Sequence, residues 1–342
     1  GKLHQAHDYY HAARQLAQSA DSLAVPMSIS FYVGLGALYL EWNDLETAEQ
    51  HIHTGAKALS RSLIGFDAYR LSVVLAQVRL AAGQYDDAMS LLAEAKEDFK
   101  LGAAPNIYSP ESLKTRFLLK QGRLDAVLDW MQKQRLSTKD VLHFFDEFDR
   151  ITLARVKLAQ YQQGPNEHEL EHLRDFLERL RHAASDGGRS GRVLEILILQ
   201  ALAYHADGDL SNALLSLERA LTLASPEGYI RIFIDEGEAI QPLLARFLSQ
   251  GNHLAYVKKL LDALQPHSDD QSPNQLLIEP LSERELDVLH LMADGHTNQA
   301  IADDLFIALS TVKKHINSIY GKLNVPNRTQ AINRARDLGI LS

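Results

Sequence analysis

The sequence contains no cysteine, which excludes a disulfide scaffold and cysteine-based zinc or redox chemistry. It has no apolar run near the roughly 18 residues that a membrane-spanning helix requires, and its first residues show no signal-peptide pattern. With 19 glycines and 10 prolines in 342 residues, it is too poor in these residues for a low-complexity chain. These absences predict a folded cytoplasmic protein without membrane contact.

The charge of the chain is unevenly distributed. The net charge of −9 by itself argues against a nucleic-acid partner. Between residues 310 and 336, however, there are six basic residues and no acidic one. Because salt screens charges beyond about 8–10 Å, a DNA-facing surface needs only local positive charge. The sequence therefore predicts double-stranded DNA as a partner of the C-terminal end.

Five segments share one pattern, in which a turn residue precedes a small residue and then a bulky apolar residue. The turn residues are Gly1, Asn43, Gly83, Gly122 and Gly208. The small residues are Ala6, Ala48, Ala88, Ala126 and Ala213. The bulky residues are Tyr10, Ile52, Leu92, Trp130 and Leu217. Each alanine follows its turn residue by five positions, except that Ala126 follows Gly122 by four, which implies a turn one residue shorter.

The spacing of these alanines indicates a repeat of about 40 residues, and apolar residues recur at the three- and four-residue intervals of helices that bury one stripe. The pattern resembles the tetratricopeptide (TPR) repeat, whose period is about 34 residues. The resemblance implies an all-α, superhelical array of helix hairpins over residues 1–265; a non-repetitive helical bundle is the alternative. Because Gly1 falls at the turn of a repeat, we expect the chain to be the C-terminal part of a longer protein.

The sequence changes character after the array. The run from Gly228 to Gly237 and two further helical stretches end it, and residues 266–275 are polar and contain two prolines. A segment of this composition without periodicity predicts a linker. We expect a separate C-terminal domain over residues 276–342.

The C-terminal domain has the pattern of a helix-turn-helix. A first apolar helix ends at Gly295, a short second helix begins at Thr297, and a third runs from Thr311, with Ser310 as its N-cap, to about Leu323. The buried stripe of the third helix is predicted to be Val312, Ile316, Ile319 and Leu323. A helix with a basic polar face of this kind can enter the major groove of DNA.

This region resembles the LuxR-type DNA-binding domain over its whole length. The resemblance is carried by three elements in register, Asn298-x-x-Ile-Ala, Thr311-Val-Lys-x-His and Lys322-Leu-x-Val-x-x-Arg. Residue by residue, it implies base contacts from Lys313, Lys314 and Asn317. It also implies phosphate contacts from Thr297, Asn298, Thr311, Lys322 and Arg328.

The array, the Gly228–Gly237 run and the segment Glu279-Pro-Leu-Ser-Glu-Arg-Glu-Leu together resemble the large MalT-like regulators of the LuxR class. In that family an ATPase precedes the array, the array senses an inducer, and inducer with ATP drives self-association and DNA binding. The resemblance implies an inducer-dependent transcriptional regulator and no enzyme in this chain. The G-x-x-x-x-G-K-[ST] phosphate loop does not occur in the sequence, so we expect no cofactor in this chain, ATP included. Because the ATPase that supports self-association in the family is then missing from this chain, we also expect the chain to be largely monomeric.

If the array is a sensor, side chains on the first helix of each repeat should line its concave side, as they do in the TPR pattern that the sequence resembles. The candidates for binding a small-molecule inducer are Arg70, Gln77, Tyr108, Glu111, Arg155, Glu195 and His205. The alternative function is a scaffold whose array binds a controlling protein partner. A zinc hydrolase would use His168 and His172 of an H-E-x-x-H motif, but the polar surroundings favour a solvated helix face and no metal site.

Overall fold

The computed structural model describes residues 2–341 with gaps at 20–24, 60–64, 102–107, 135, 165, 250–252, 266–280, 282, 294, 306–308, 324, 326 and 338–339. All regular elements in these described ranges are α-helices or short 3-10 turns, which confirms the predicted all-α class. The chain divides into two compact units, Gly1–Leu264 and Gln265–Ser342, here called the array and the C-terminal unit. The predicted linker 266–275 lies outside the described residues.

The array consists of helices that pack mainly against their neighbours in sequence. The helices are α1 (Leu3–Ser19), α2 (Val25–Glu41), α3 (Leu45–Leu59), α4 (Gly65–Ala81), α5 (Tyr85–Leu101), α6 (Pro110–Lys120), α7 (Leu124–Gln134), α8 (Glu147–Gln163), α9 (Glu167–Asp186), α10 (Ser190–Ala206), α11 (Leu210–Ala224), α12 (Arg231–Ile234), α13 (Gln241–Leu248) and α14 (Leu254–Leu264). Helix α1 packs against α2, and hairpins form from α2 with α3, α4 with α5, α6 with α7, α8 with α9, and α10 with α11.

Four of the five predicted turn residues end the first helix of a hairpin, and the fifth, Gly1, lies outside the described residues. Asn43, Gly83, Gly122 and Gly208 all have positive φ, between 62° and 78°. At the last of these, the Gly208 amide donates to the His205 carbonyl and the Asp209 amide to the Tyr204 carbonyl. These two bonds supply donors to carbonyls that have no amide partner within the helix. They require, at the turn position, a residue that can adopt a left-handed backbone conformation.

The position five residues after each turn is the inner contact of the hairpin. Ala48, Ala88 and Ala213 are 0% exposed there, as predicted. The prediction of a shorter turn before Ala126 was wrong: Val127 is 0% exposed, whereas Ala126 is half-buried. The geometry of the helix end fixes the phase of the next helix, so this position faces inward whichever residue occupies it.

Residues 227–236, here called the closing segment, return from the end of the hairpins to the first one. It begins at the end of a 3-10 turn, Ser225–Glu227, and contains the short helix α12. The Ile230 amide donates to the Glu41 carbonyl over 2.9 Å. The indole of Trp42 donates to the Glu227 carbonyl over 3.0 Å, across 185 residues of sequence. The first hairpin is therefore bonded to the segment that follows the last.

The C-terminal unit contains four helices in its described residues, α15 (Glu283–Ala293), α16 (Asn298–Asp304), α17 (Leu309–Leu323) and α18 (Arg328–Asp337). Gly295 has the positive φ, 84°, predicted for the end of the first helix. Helix α17 begins two residues earlier than predicted, so Ser310 lies within the helix and is not its N-cap. In the described part of the chain, we find no helix that is both long and apolar enough to cross a bilayer.

Candidate nucleic-acid interface and the polar network of the array

Helix α17 buries one stripe and leaves a polar face outside. Val312, Ile316, Ile319 and Leu323 are at most 6% exposed, which confirms the predicted stripe. Because these residues recur every three or four positions, the intervening positions point away from the core. Lys313, Lys314 and Asn317 are exposed there. The helix thus presents two ammonium groups and an amide, which can donate hydrogen bonds to base edges.

The residues around the start of α16 have an ordinary capping arrangement. The Ala300 amide donates to Thr297 Oγ over 3.2 Å, so the threonine caps this helix. Its hydroxyl proton remains able to donate to a further acceptor. Asn298 and Thr311 are half-buried.

Lys322, one of the predicted phosphate contacts, lies at the edge of the buried stripe of α17. Its ammonium is 2.8 Å from Glu285 Oε2 on α15, and the two side chains are 15% and 6% exposed. Lys322 lies three residues after Ile319 and directly before Leu323, at the edge of the buried stripe, and this position turns it towards α15. The positive charge of Lys322 is therefore paired with Glu285 inside the unit.

Arg328, another of the predicted phosphate contacts, has its guanidinium turned towards the turn between α15 and α16. Its Nη2 donates to the carbonyls of Met292 over 2.8 Å and of His296 over 2.7 Å. Its Nη1 donates to Asn298 Oδ1 over 3.4 Å. Helix α18 packs against α15, so the guanidinium at the start of α18 meets the end of α15.

These two internal contacts change the electrostatics of the basic stretch. Of its six basic residues, Lys322 and Arg328 are engaged within the unit, and the remaining four are exposed. The exposed four are Lys313, Lys314, Arg334 and Arg336. The positive surface is therefore carried by the outer face of α17 and by α18.

A second polar site lies in the array around Glu195, which is 4% exposed. Its carboxylate accepts from Arg116 Nη1 over 2.5 Å, Arg155 Nη2 over 3.1 Å and Arg192 Nη1 over 2.9 Å. Burial acts to raise the pKa of Glu195, but these guanidiniums hold it well below its ordinary range. One carboxylate thus joins arginines from α6, α8 and α10.

The closing segment adds its own charges to this network. Glu236 accepts from Arg155, which bonds Glu195 as well. Asp235 lies 2.8 Å from Lys120 Nζ. Despite burial, the charges of Lys120 and Arg231 hold the pKa of Asp235 below its ordinary value. The segment therefore supplies acceptors to basic residues of α6 and α8.

Glu41, whose carbonyl holds the closing segment, has an unusual carboxyl group. Burial, then the charges of Asp235 and Glu195, raises the pKa of Glu41 to about 7. Its Oε2 is buried and has no hydrogen-bond partner among the described residues. An ionised carboxylate is costly in such a place.

The structure brings together some of the predicted groove residues. Arg155 and Glu195 are bonded directly, and the Tyr108 ring lies 5.1 Å from the Arg192 guanidinium, which also bonds Glu195. Arg70 belongs to another contact, since its Nη1 donates to Ser30 Oγ over 3.2 Å. Three others are half-buried on α4, α6 and α10, namely Gln77, Glu111 and His205.

The sequence interpretation missed Arg116, Arg192, Glu236 and Glu41. A local signal existed for one of them: Arg192 and Glu195 are spaced by three residues in an otherwise apolar helix, and such a pair meets on one face. The partners from distant helices gave no such signal.

The two histidines of the H-E-x-x-H motif are exposed on α9. Their Nε2 atoms lie 3.0 Å apart. Within the described ranges, no group of three or more histidine, aspartate or glutamate side chains could hold a metal ion. His168 and His172 therefore have no third ligand from the described residues.

Fold and site together define a helical-repeat protein that carries a helix-turn-helix unit. Two family models match the chain: the MalT-like TPR region matches residues 1–250, and the family of bacterial regulatory proteins called luxR family matches residues 279–335. The first covers well over half of the chain. The chain therefore belongs to the MalT-like TPR family and has a LuxR-family region at its C-terminal end.

Individual relatives are similar along most of the chain. The HTH-type transcriptional regulator MalT of Cronobacter sakazakii is 30% identical over 87% of this chain and 34% of that protein. The protein of the same name from Klebsiella pneumoniae is 28% identical over 99% of this chain and 39% of that protein. The chain thus spans about a third of the length of these relatives. Among solved structures, BtubC (BKLC) from P. vanneervenii is 15% identical with a TM-score of 0.28, covering 78% of this chain and 92% of that one.

Proposed function

We propose that this chain is the signal-receiving and DNA-binding part of a transcriptional regulator. The observation that carries the proposal is the outer face of α17, where Lys313, Lys314 and Asn317 are exposed above a fully buried stripe. These three side chains would read base edges in the major groove. Thr297, Asn298 and Thr311 would donate to flanking phosphates, which fix the register of the helix on DNA.

The chemistry of the exposed face suits this role. Lysine donates to the O6 and N7 acceptors of guanine, and the asparagine amide can pair with adenine. The exposed Arg334 and Arg336 add positive charge at the end of α18, and each phosphate that such a charge neutralises releases counterions. Binding is therefore expected to weaken steeply as salt rises.

We further infer that the array receives a small molecule and that its response promotes self-association. Residues 1–264 form one compact unit, far larger than is needed to position a helix-turn-helix. The cluster of Tyr108, Arg155 and Glu195 offers donors, an aromatic ring and a carboxylate from separate hairpins. A ligand bridging such hairpins can change their relative orientation. Two units brought onto half-sites about 34 Å apart gain affinity through effective concentration. The chain itself would catalyse no reaction.

The DNA-binding role is tested by selecting duplexes from a random pool with the full chain and titrating the enriched site at fixed salt. Lys313→Ala should weaken binding to that site by about 1–3 kcal/mol. The matched control is Lys259→Ala, an exposed lysine of the array, which should leave the affinity unchanged. Equal affinities of the wild type and Lys313→Ala would contradict the assignment of this face.

The sensing role is tested by screening small metabolites for thermal stabilisation of the full chain. Tryptophan fluorescence reports on the array, because the two tryptophans, Trp42 and Trp130, both lie in it. A true inducer should stabilise the wild type, lose most of this effect in Tyr108→Ala, and retain it in the control Tyr9→Ala, which removes a ring that is 67% exposed. Sedimentation should show a monomer that associates when the inducer is added. A stable dimer without inducer would refute the proposal that ligand binding controls association.

A further inference from the structure

We propose that Arg328 is a positioning residue of the DNA-binding unit, whose guanidinium fixes the turn between α15 and α16 and takes no part in neutralising a phosphate. The inference rests on the proposed DNA-binding function. It assigns to Arg328 a role different from the phosphate contact that the LuxR resemblance implies.

The geometry of the turn between α15 and α16 supports this role. Met292 and His296, whose carbonyls accept from Arg328 Nη2 over 2.8 and 2.7 Å, lie on either side of Gly295. Gly295 has φ of 84° and ends α15. One nitrogen of Arg328 therefore bridges the two ends of this turn, and both of its protons are used.

The charge of Arg328 also suits the end of a helix. The last carbonyls of a helix accept no hydrogen bond from an amide of the same helix, and they lie at the negative end of the helix dipole. A guanidinium is a fixed cation with a planar fork of donors, and it matches two neighbouring carbonyls better than a single ammonium can. The positive charge of Arg328 is thus placed where α15 ends.

Asn298, one of the proposed phosphate contacts, faces the same guanidinium. A guanidinium has no acceptor, so the amide atom that faces Arg328 Nη1 over 3.4 Å must be the oxygen. The amide NH2 of Asn298 is then left for another acceptor. Arg328 therefore sets both the path of the chain into α16 and the orientation of the first side chain of that helix.

The consequence is a distinct signature in DNA binding. Removing a phosphate contact lowers the slope of log K against log salt by about one, because one fewer counterion is released. Removing a positioning residue lowers affinity at every salt concentration and leaves the slope unchanged. Lysine would preserve a phosphate contact, since it keeps the charge, but it cannot span two carbonyls and an amide.

The experiment titrates the full chain with the selected duplex at five salt concentrations, using the wild type, Arg328→Ala, Arg328→Lys and Arg334→Ala. We expect Arg328→Ala and Arg328→Lys to weaken binding by a similar factor, about tenfold, as for the loss of a charge-assisted hydrogen bond. Both should keep the wild-type slope. Arg334→Ala, the control for an exposed cation that neutralises phosphate, should lower the slope by about one. Wild-type affinity in Arg328→Lys, or a slope lowered by one in Arg328→Ala, would overturn the inference.

Amide hydrogen exchange without DNA supplies a second readout. In Arg328→Lys the amides of Gly295 and His296, which donate to Met292 and Leu291, should exchange faster, whereas those in the middle of α17 should keep their protection. Unchanged exchange at Gly295 and His296 would refute the positioning role. If Arg328→Ala fails to fold, Arg328→Lys decides both measurements. Failure of the wild type to bind any duplex would refute the proposed function instead, and the exchange result would still decide the role of Arg328.

Discussion

Replacing Glu41 by glutamine tests whether the array contains a buried carboxyl group that resists ionisation. Burial, with the charges of Asp235 and Glu195, raises the pKa of Glu41 to about 7. Below the pKa of the unfolded chain, about 4.3, the group is neutral in both states and costs nothing. Between that value and about 7, only the unfolded state ionises, so the free energy of unfolding falls as pH rises. Above this window, the penalty is constant, on the order of 3 kcal/mol.

Glu41→Gln keeps the size of the side chain and removes the ionisation. We expect it to raise the free energy of unfolding, and the gain should be about 2 kcal/mol larger at pH 8.5 than at pH 5.5. The measurement is urea unfolding followed by tryptophan fluorescence, which reports on the array through Trp42 and Trp130. Histidines that titrate in this range contribute equally to both proteins and cancel in the difference.

The control is Glu94→Gln, which removes an exposed carboxylate from α5 and should give the same small change at both pH values. The same gain for Glu41→Gln at pH 5.5 and pH 8.5 would refute the reasoning. A loss of stability at pH 8.5 would show that the ionised carboxylate is stabilised by partners, contrary to its unpartnered Oε2.

Two further changes test the packing of the array, both by urea unfolding. Glu195→Gln removes the charge that three guanidiniums share and should cost about 3–5 kcal/mol, the usual effect of breaking a buried ion pair. A change below about 1 kcal/mol, the usual worth of an exposed ion pair, would contradict this reasoning. Gly36→Ala places a Cβ 2.6 Å from Ile52 Cδ1 and 3.3 Å from the Ala48 carbonyl and should cost about 1–3 kcal/mol. The matched Gly321→Ala, in the C-terminal unit, meets nothing within 4 Å and should stabilise slightly; equal effects would contradict the overpacking argument.

Local sequence signals predicted the helices and their buried faces. The stripe of α17 and the positive φ of Gly83 and Gly208 both follow from contacts within one helix or one turn. Such contacts depend on residues close in sequence, so periodicity and turn chemistry are sufficient to find them. The sequence also predicted that Lys313 and Lys314 are exposed, because they occupy the positions between buried ones.

The polar partners could not be predicted in this way. Arg116 bonds Glu195 across 79 residues, and this contact depends on the orientation of one hairpin relative to others. Basic residues usually face water, so the sequence alone predicts Lys322 to be a surface charge, yet it pairs with Glu285, 37 residues earlier. Periodicity indicates which face of a helix is buried, but it does not indicate which distant charge will lie opposite an edge residue.

The closing segment has a consequence for how the array unfolds. In an open stack of repeats each hairpin contacts only its neighbours, so the ends can fray independently of the middle. Here the bond from Ile230 to Glu41 and the ion pair from Glu236 to Arg155 connect hairpins that are far apart in sequence. The closing segment thus bonds both to the first hairpin and to α8 in the middle of the array. Opening either end of the array therefore breaks bonds in its centre. Such an array should unfold as one cooperative block.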